Sequence, residues 1–162
     1  LERLDYRFSY IKYYDADELP TEDKNLVDST RKSTENAYAP YSRFHVAAGA
    51  RLIDGTEIFG TNQENASYPV GICAERTLLS TLANLKPGIA IDTLVITYQN
   101  KNNGESHKPA SPCGICRQSL LEYEQRLSHP IRILLCGFTG AVIELKNAAD
   151  LLPFGFGKSD LI

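Results

Sequence analysis

Three cysteines and one glutamate carry the clearest chemistry in this chain. Cys73 and Glu75 lie in Gly71-Ile72-Cys73-Ala74-Glu75-Arg76, and Cys113 and Cys116 lie in Pro112-Cys113-Gly114-Ile115-Cys116. Cysteines at this spacing suit a tetrahedral zinc ion. Three protein sulfurs leave such an ion one open position, as in a catalytic rather than a structural site. Both clusters fall where a loop is expected to become a helix, and there the backbone N–H groups and the positive helix end favour thiolate. Three thiolates would make the centre net negative and a coordinated water less acidic. Arg76 is placed to offset this by donating to a ligand sulfur. Glu75 sits too close to Cys73 in sequence to share the ion easily, but it can reach the open position. A carboxylate there can take a proton from water and pass it to a substrate atom. These residues describe an enzyme that activates water on zinc.

A bland reading competes with this one. Cys136 offers a fourth sulfur that would close the site into a structural one. It lies, however, in the apolar run from Ile131 to Cys136, where a free cysteine behaves as a small hydrophobe. Glu75 alone would read as a first-turn carboxylate favoured by the helix dipole; beside three metal-spaced cysteines it reads as functional. His45, His107 and His129 stand in separate segments and do not join the metal set.

The whole chain sets the bounds for this chemistry. Its 162 residues suit one domain with a proper core. An apolar share of 43% and a charged share of 23% are those of an ordinary globular domain. The net charge of −3, with lysines and arginines scattered, disfavours nucleic acid as a partner. No stretch is apolar for long enough to span a bilayer. Four cysteines with no signal-peptide pattern lead to the expectation of a reduced, cytoplasmic setting.

The elements that must position the site follow from periodicity. In residues 1–20, Leu4, Tyr6, Phe8 and Tyr10 alternate with polar residues, which predicts an N-terminal extension forming an added edge strand. The domain proper is expected over residues 21–162. A helix is predicted over 21–38, capped by Thr21 and ended by Ala39-Pro40. Val46–Ile53 and Thr56–Asn62 flank Asp54-Gly55, which predicts a hairpin with a two-residue turn of positive φ. A helix follows from Cys73 to Pro87-Gly88, then a buried strand over Ile91–Tyr98. A second cysteine-led helix spans Cys113–Leu127, and strands are expected over 131–136 and 141–145. Helices separated by buried strands predict an α/β fold, a three-layer α/β/α sandwich with a mixed central sheet.

Four separated blocks in this order resemble the small, three-cysteine cytidine deaminases. They are Tyr38-Ala39-Pro40-Tyr41-Ser42-Arg43-Phe44, Asn62-Gln63-Glu64-Asn65-Ala66-Ser67-Tyr68, the two cysteine motifs taken together, and Leu151-Leu152-Pro153. The resemblance runs from about Tyr38 to Gly157 and says little of the first 20 residues. It implies zinc on Cys73, Cys113 and Cys116, with Glu75 as the proton shuttle. It implies that Asn62 and Glu64 hold the sugar 3′-hydroxyl, that Phe44 packs against the base, and that the Ala74 N–H and Ser111 carbonyl read the pyrimidine edge. Phe156, in Phe154-Gly155-Phe156-Gly157, resembles the aromatic that family members lend to a neighbouring subunit's pocket. The resemblance also implies a homotetramer and a role in pyrimidine salvage, with cytidine and deoxycytidine deaminated to uridine and deoxyuridine. A carboxylate at the 3′ position would repel a phosphate, so Glu64 suits a free nucleoside. Two readings stay open beside this one: a deaminase of a related aminopyrimidine nucleoside, and a non-catalytic zinc-stabilised binding module.

Overall fold

The computed structural model describes residues 1–161, so Ile162, the last residue of the expected 21–162 domain, lies outside the described residues. Six strands form one sheet in the order β1-β6-β5-β4-β2-β3. They are β1 (Tyr10–Tyr13), β2 (Phe44–Leu52), β3 (Glu57–Thr61), β4 (Ile91–Asn100), β5 (Arg132–Cys136) and β6 (Val142–Leu145). Among these six strands β4 and β5 pair in parallel, through the crossover that carries helix α3 (Gly114–Leu127), and the other strand pairs are antiparallel. The sheet is therefore mixed, as the alternation of helices and strands predicted.

Period-two patterning explains the three layers. In β4, Leu94 and Ile96 point to one face and Val95 to the other; in β5, Ile133 and Leu135 oppose Leu134 and Cys136. The first face packs on helix α2 (Ala74–Leu85) and α3 through Leu78, Leu82 and Leu120, all fully buried. The second packs on α1 (Thr21–Ser33) through Leu26 and Val27. Each such leucine contributes roughly 1.5–3 kcal/mol by leaving water. A polar pin adds to the α1 face. The buried Asp23 accepts from Arg51 at 2.9 Å and from Arg132 at 2.6 Å. Burial pushes the Asp23 carboxyl up, but the two guanidiniums outweigh it and hold it below the usual carboxylate range.

Three local expectations shift, each for a physical reason. The N-terminal strand covers Tyr10–Tyr13 and not the alternating stretch from Leu4. β6 has only four residues, all already paired with Tyr10–Tyr13, so nothing remains for residues 4–9 to pair with, and Leu4, Tyr6 and Phe8 stay exposed. Helix α1 is preceded by Pro20 rather than capped by Thr21, and it ends at Ser33, short of Ala39-Pro40. Near that end Thr30 and Ser33 donate to carbonyls one turn back and Thr34 to the Arg31 carbonyl, side-chain bonds that compete with the helical ladder. In the hairpin, only Gly55 takes a positive φ, of 81°, while Asp54 instead accepts from the Thr56 N–H. The β2–β3 connection is thus four residues rather than two.

The consequence for function lies at one edge of the sheet. β3 and β4 end on the same side, and β2, antiparallel to both, begins there. Helices α2 and α3 follow β3 and β4 respectively, so both start over that edge. The carboxyl ends of strands are where open α/β sheets place their sites.

Candidate metal centre and active site

Cys73 is the residue immediately before α2, and Cys113 is the residue immediately before α3. Neither side chain caps its own helix, so both sulfurs are free for another partner. Cys116 lies in the first turn of α3 and is buried. Packing of α2 beside α3 brings the three together: their Sγ atoms all lie within 4.8 Å of one another, with Cys73 and Cys113 3.9 Å apart. Tetrahedral zinc with sulfur bonds of about 2.3 Å requires sulfurs roughly 3.8 Å apart. The donor set therefore fits zinc in both chemistry and spacing. Among the described residues this is the single group of convergent metal-type ligands. Cys136, the competing fourth sulfur, is buried elsewhere and donates to the Ile96 carbonyl.

The electrostatics of the cluster favour ionisation of one sulfur, that of Cys73. Cys73 is drawn down to about 6, chiefly because the Cys116 thiol hydrogen bonds to it, with Arg76 adding its positive charge against the opposing effects of burial and Glu75. Cys116 shifts upward as the donor of that bond. Arg76 lies half-buried in the first turn of α2, where its positive charge favours the Cys73 thiolate.

Glu75 is 4% exposed. Burial in the first turn of α2 raises its carboxyl above the usual range, so it holds a proton more readily than a surface glutamate. Ala74, before it, is fully buried at the start of the same helix. What seats this turn so deeply is Gly60 in β3: a Cβ there would come within 2.7 Å of the Ala74 carbonyl oxygen and closer still to the Leu78 backbone nitrogen. α2 lies directly on β3 because that position has no side chain.

A cavity of about 470 Å³ opens beside Cys73 and is lined by Asn62, Glu64, Tyr41, Tyr68 and Ile72 among others. Asn62 accepts from the Val46 N–H at 2.8 Å and donates to the Phe44 carbonyl at 3.0 Å, which fixes the start of β2. Glu64 accepts from the Tyr41 and Ser42 N–H groups through a single oxygen, Oε2. Burial pushes its carboxyl up, but the Ser42 and Tyr41 donors outweigh that, so Glu64 stays ionised. Phe44 stacks on Tyr98 with ring centroids 4.7 Å apart, and both line a second hollow together with Ser111. Phe156 is 58% exposed and lines neither hollow; its carbonyl accepts from Gln118. The residues singled out in the sequence thus gather into a metal cluster with Glu75, a cavity side with Asn62 and Glu64, a separate hollow with Phe44 and Ser111, and an outlying Phe156.

Several residues beside the site had no signal in spacing alone. Tyr41 and Tyr68 meet edge to face at 5.9 Å over the cavity; both sit within the blocks that carried the family resemblance. Arg117, directly after Cys116, folds back on the loop before Cys113, and nothing in the sequence marks it apart from other helix arginines.

Residues 20–128 match the family described as the cytidine and deoxycytidylate deaminase zinc-binding region. The chain is 34% identical over 139 residues to a cytidine deaminase of Sporosarcina psychrophila, covering 85% of this chain and 93% of that protein. It is 33% identical to a cytidine deaminase of Mycobacterium tuberculosis, covering 88% of this chain and 96% of the relative. The crystal structure of cytidine deaminase from Burkholderia pseudomallei superposes with a TM-score of 0.70 at 34% identity, over 82% of this chain and 97% of the other.

Proposed function

The chain belongs to the cytidine and deoxycytidylate deaminase zinc-binding family, and on that premise we propose that it hydrolyses the exocyclic amine of cytidine and deoxycytidine, releasing ammonia and leaving uridine and deoxyuridine. One observation supports this above the others: three convergent sulfurs beside a buried carboxyl whose affinity for a proton is raised by that burial.

Cys73, Cys113 and Cys116 would hold the zinc ion. Zinc, when bound, supplies Lewis acidity that brings the deprotonation of water from about 15.7 toward neutral pH. Glu75 takes the proton from water as its oxygen adds to C4 of the ring, and delivers that proton to N3. It then carries the remaining proton of that water from the hydroxyl now on C4 to the amine, and the C4–N bond breaks with loss of ammonia to leave the C4 carbonyl. Water and cytidine are consumed; uridine and ammonia are formed. A carboxyl raised by burial suits both transfers, because it takes up a proton more readily than an ordinary carboxylate and can still return it. The Ala74 N–H at the start of α2 and the Ser111 carbonyl would read the pyrimidine edge, and Phe44 would pack against the base. Asn62 and the ionised Glu64 would hold the sugar 3′-hydroxyl. Arg76 would temper the negative charge of the sulfurs. Phe156 would complete the pocket of a neighbouring subunit in a homotetramer. We assign residues 21–162 to the deaminase domain and residues 1–20 to an N-terminal extension. A place in pyrimidine salvage, in the cytoplasm, fits a free nucleoside substrate.

The test is ammonia release from cytidine, deoxycytidine, free cytosine and cytidine 3′-phosphate, compared on one preparation. Conversion of the two nucleosides, with the 3′-phosphate refused, is expected. Turnover of the 3′-phosphate at a rate like that of cytidine would contradict the role given to Glu64. No turnover of either nucleoside would contradict the function.

A further inference from the structure

We propose that Arg117 is a positioning residue that sets the direction of the Cys113 sulfur, and with it the affinity of the centre for zinc. This rests on the metal reading above and goes beyond it, since Arg117 holds no substrate and ligates nothing.

Of the three sulfurs, that of Cys113 is the least held by its surroundings. Cys113 is exposed, whereas Cys116 is buried and Cys73 is half-buried. It also precedes its helix, so no helical hydrogen bond of its own N–H fixes it. The direction of its Cα–Cβ bond, from which Sγ hangs in one of a few staggered rotamers, depends on the two backbone torsions of Cys113, which lie at φ −68° and ψ 169°. Because peptide groups are planar, those two torsions are set once the peptide planes on either side are held. Arg117 holds both. Its backbone N–H donates to the Cys113 carbonyl at 2.9 Å, and its side-chain Nε donates to the Pro112 carbonyl at 2.9 Å. One residue thus grips the peptide group before Cys113 and the peptide group after it.

The grip needs an anchor outside the loop, and the structure supplies one. Arg117 Nη1 donates at 3.1 Å to the carbonyl of Leu151, which ends a short 3-10 turn (Ala149–Leu151) and packs against the main core. The guanidinium is therefore held between Pro112 and Leu151 and cannot swing freely. A planar fork holds its two donors at the fixed separation these carbonyls need; a lysine ammonium is a compact donor on a flexible stem and does not span them in the same way. The neighbouring Gln118 makes a useful contrast. It too reaches the C-terminal segment, donating to the Phe156 carbonyl at 2.7 Å, but it touches neither peptide group of Cys113.

The experiment is a chelator competition that reads zinc affinity for the whole chain, for Arg117→Ala, for Arg117→Lys and for Gln118→Ala. Loss of an outer partner of a metal ligand typically weakens binding about 10–100-fold, and that range is expected for Arg117→Ala. Arg117→Lys should recover only part of the loss, and Gln118→Ala should bind as the parent does. Cobalt in place of zinc gives a second reading: the thiolate-to-metal charge-transfer band should fall in Arg117→Ala and hold in Gln118→Ala. If Arg117→Ala does not fold, Arg117→Lys carries the same comparison. Affinity within twofold of the parent in the Arg117 variant, or an equal loss in Gln118→Ala, overturns the inference. A parent protein that takes up no zinc overturns the metal reading instead, so the two failures are told apart.

Discussion

Glu75 is the residue on which the proposed chemistry turns, and its environment supports that role. It sits two positions after one sulfur ligand, buried, with its carboxyl raised by that burial. Glutamine keeps the shape and the burial but cannot exchange a proton. Glu75→Gln is therefore expected to keep its zinc, by metal analysis of the purified protein, and to lose about 10²–10⁴-fold in cytidine turnover. Retained turnover would remove Glu75 from the mechanism. At this scale the sequence was most informative where chemistry is local. Cys113 and Cys116 share one helical turn, so their spacing alone placed two sulfurs together. Asn62 and Glu64 were less legible. Their bonds run to the backbone of Val46, Phe44, Tyr41 and Ser42, and those partners are set by the pairing of β2 with β3 and by the loop before it, which no short motif encodes.

At the scale of elements, the site exists because two helices begin over the same sheet edge and one of them presses onto β3. Gly60 allows that contact. Gly60→Ala would drive a Cβ against the Ala74 carbonyl and the Leu78 backbone, atoms that move only if α2 moves. Overpacking of this kind typically costs about 1–3 kcal/mol. A lower urea midpoint is expected, together with reduced zinc loading, because Cys73 and Glu75 travel with the helix. A variant as stable and as fully loaded as the parent would show that α2 does not need this approach. Both cysteine-led helices were readable from their apolar periodicity, as were the β4 and β5 runs. The N-terminal strand was misjudged in extent because alternation reports which residues are able to form a strand and says nothing about whether a partner edge is long enough. The hairpin was found, but its turn was not, because Asp54 bonds to the Thr56 N–H and leaves the positive φ to Gly55 alone.

For the whole molecule, the three layers serve one end. The α1 face, pinned by Asp23 between Arg51 and Arg132, makes the sheet a rigid floor, and β4 and α3 deliver Cys113 to meet Cys73. Fold class followed from element order because helices alternating with fully buried strands have few ways to cover a sheet on both faces. The central claim is that three sulfurs, and not four, hold the metal. X-ray absorption at the zinc edge of the purified protein tests it most directly. Three sulfur scatterers at about 2.3 Å with one lighter atom at about 2.0 Å is the result expected; a shell of four sulfurs, or no bound zinc, would contradict it.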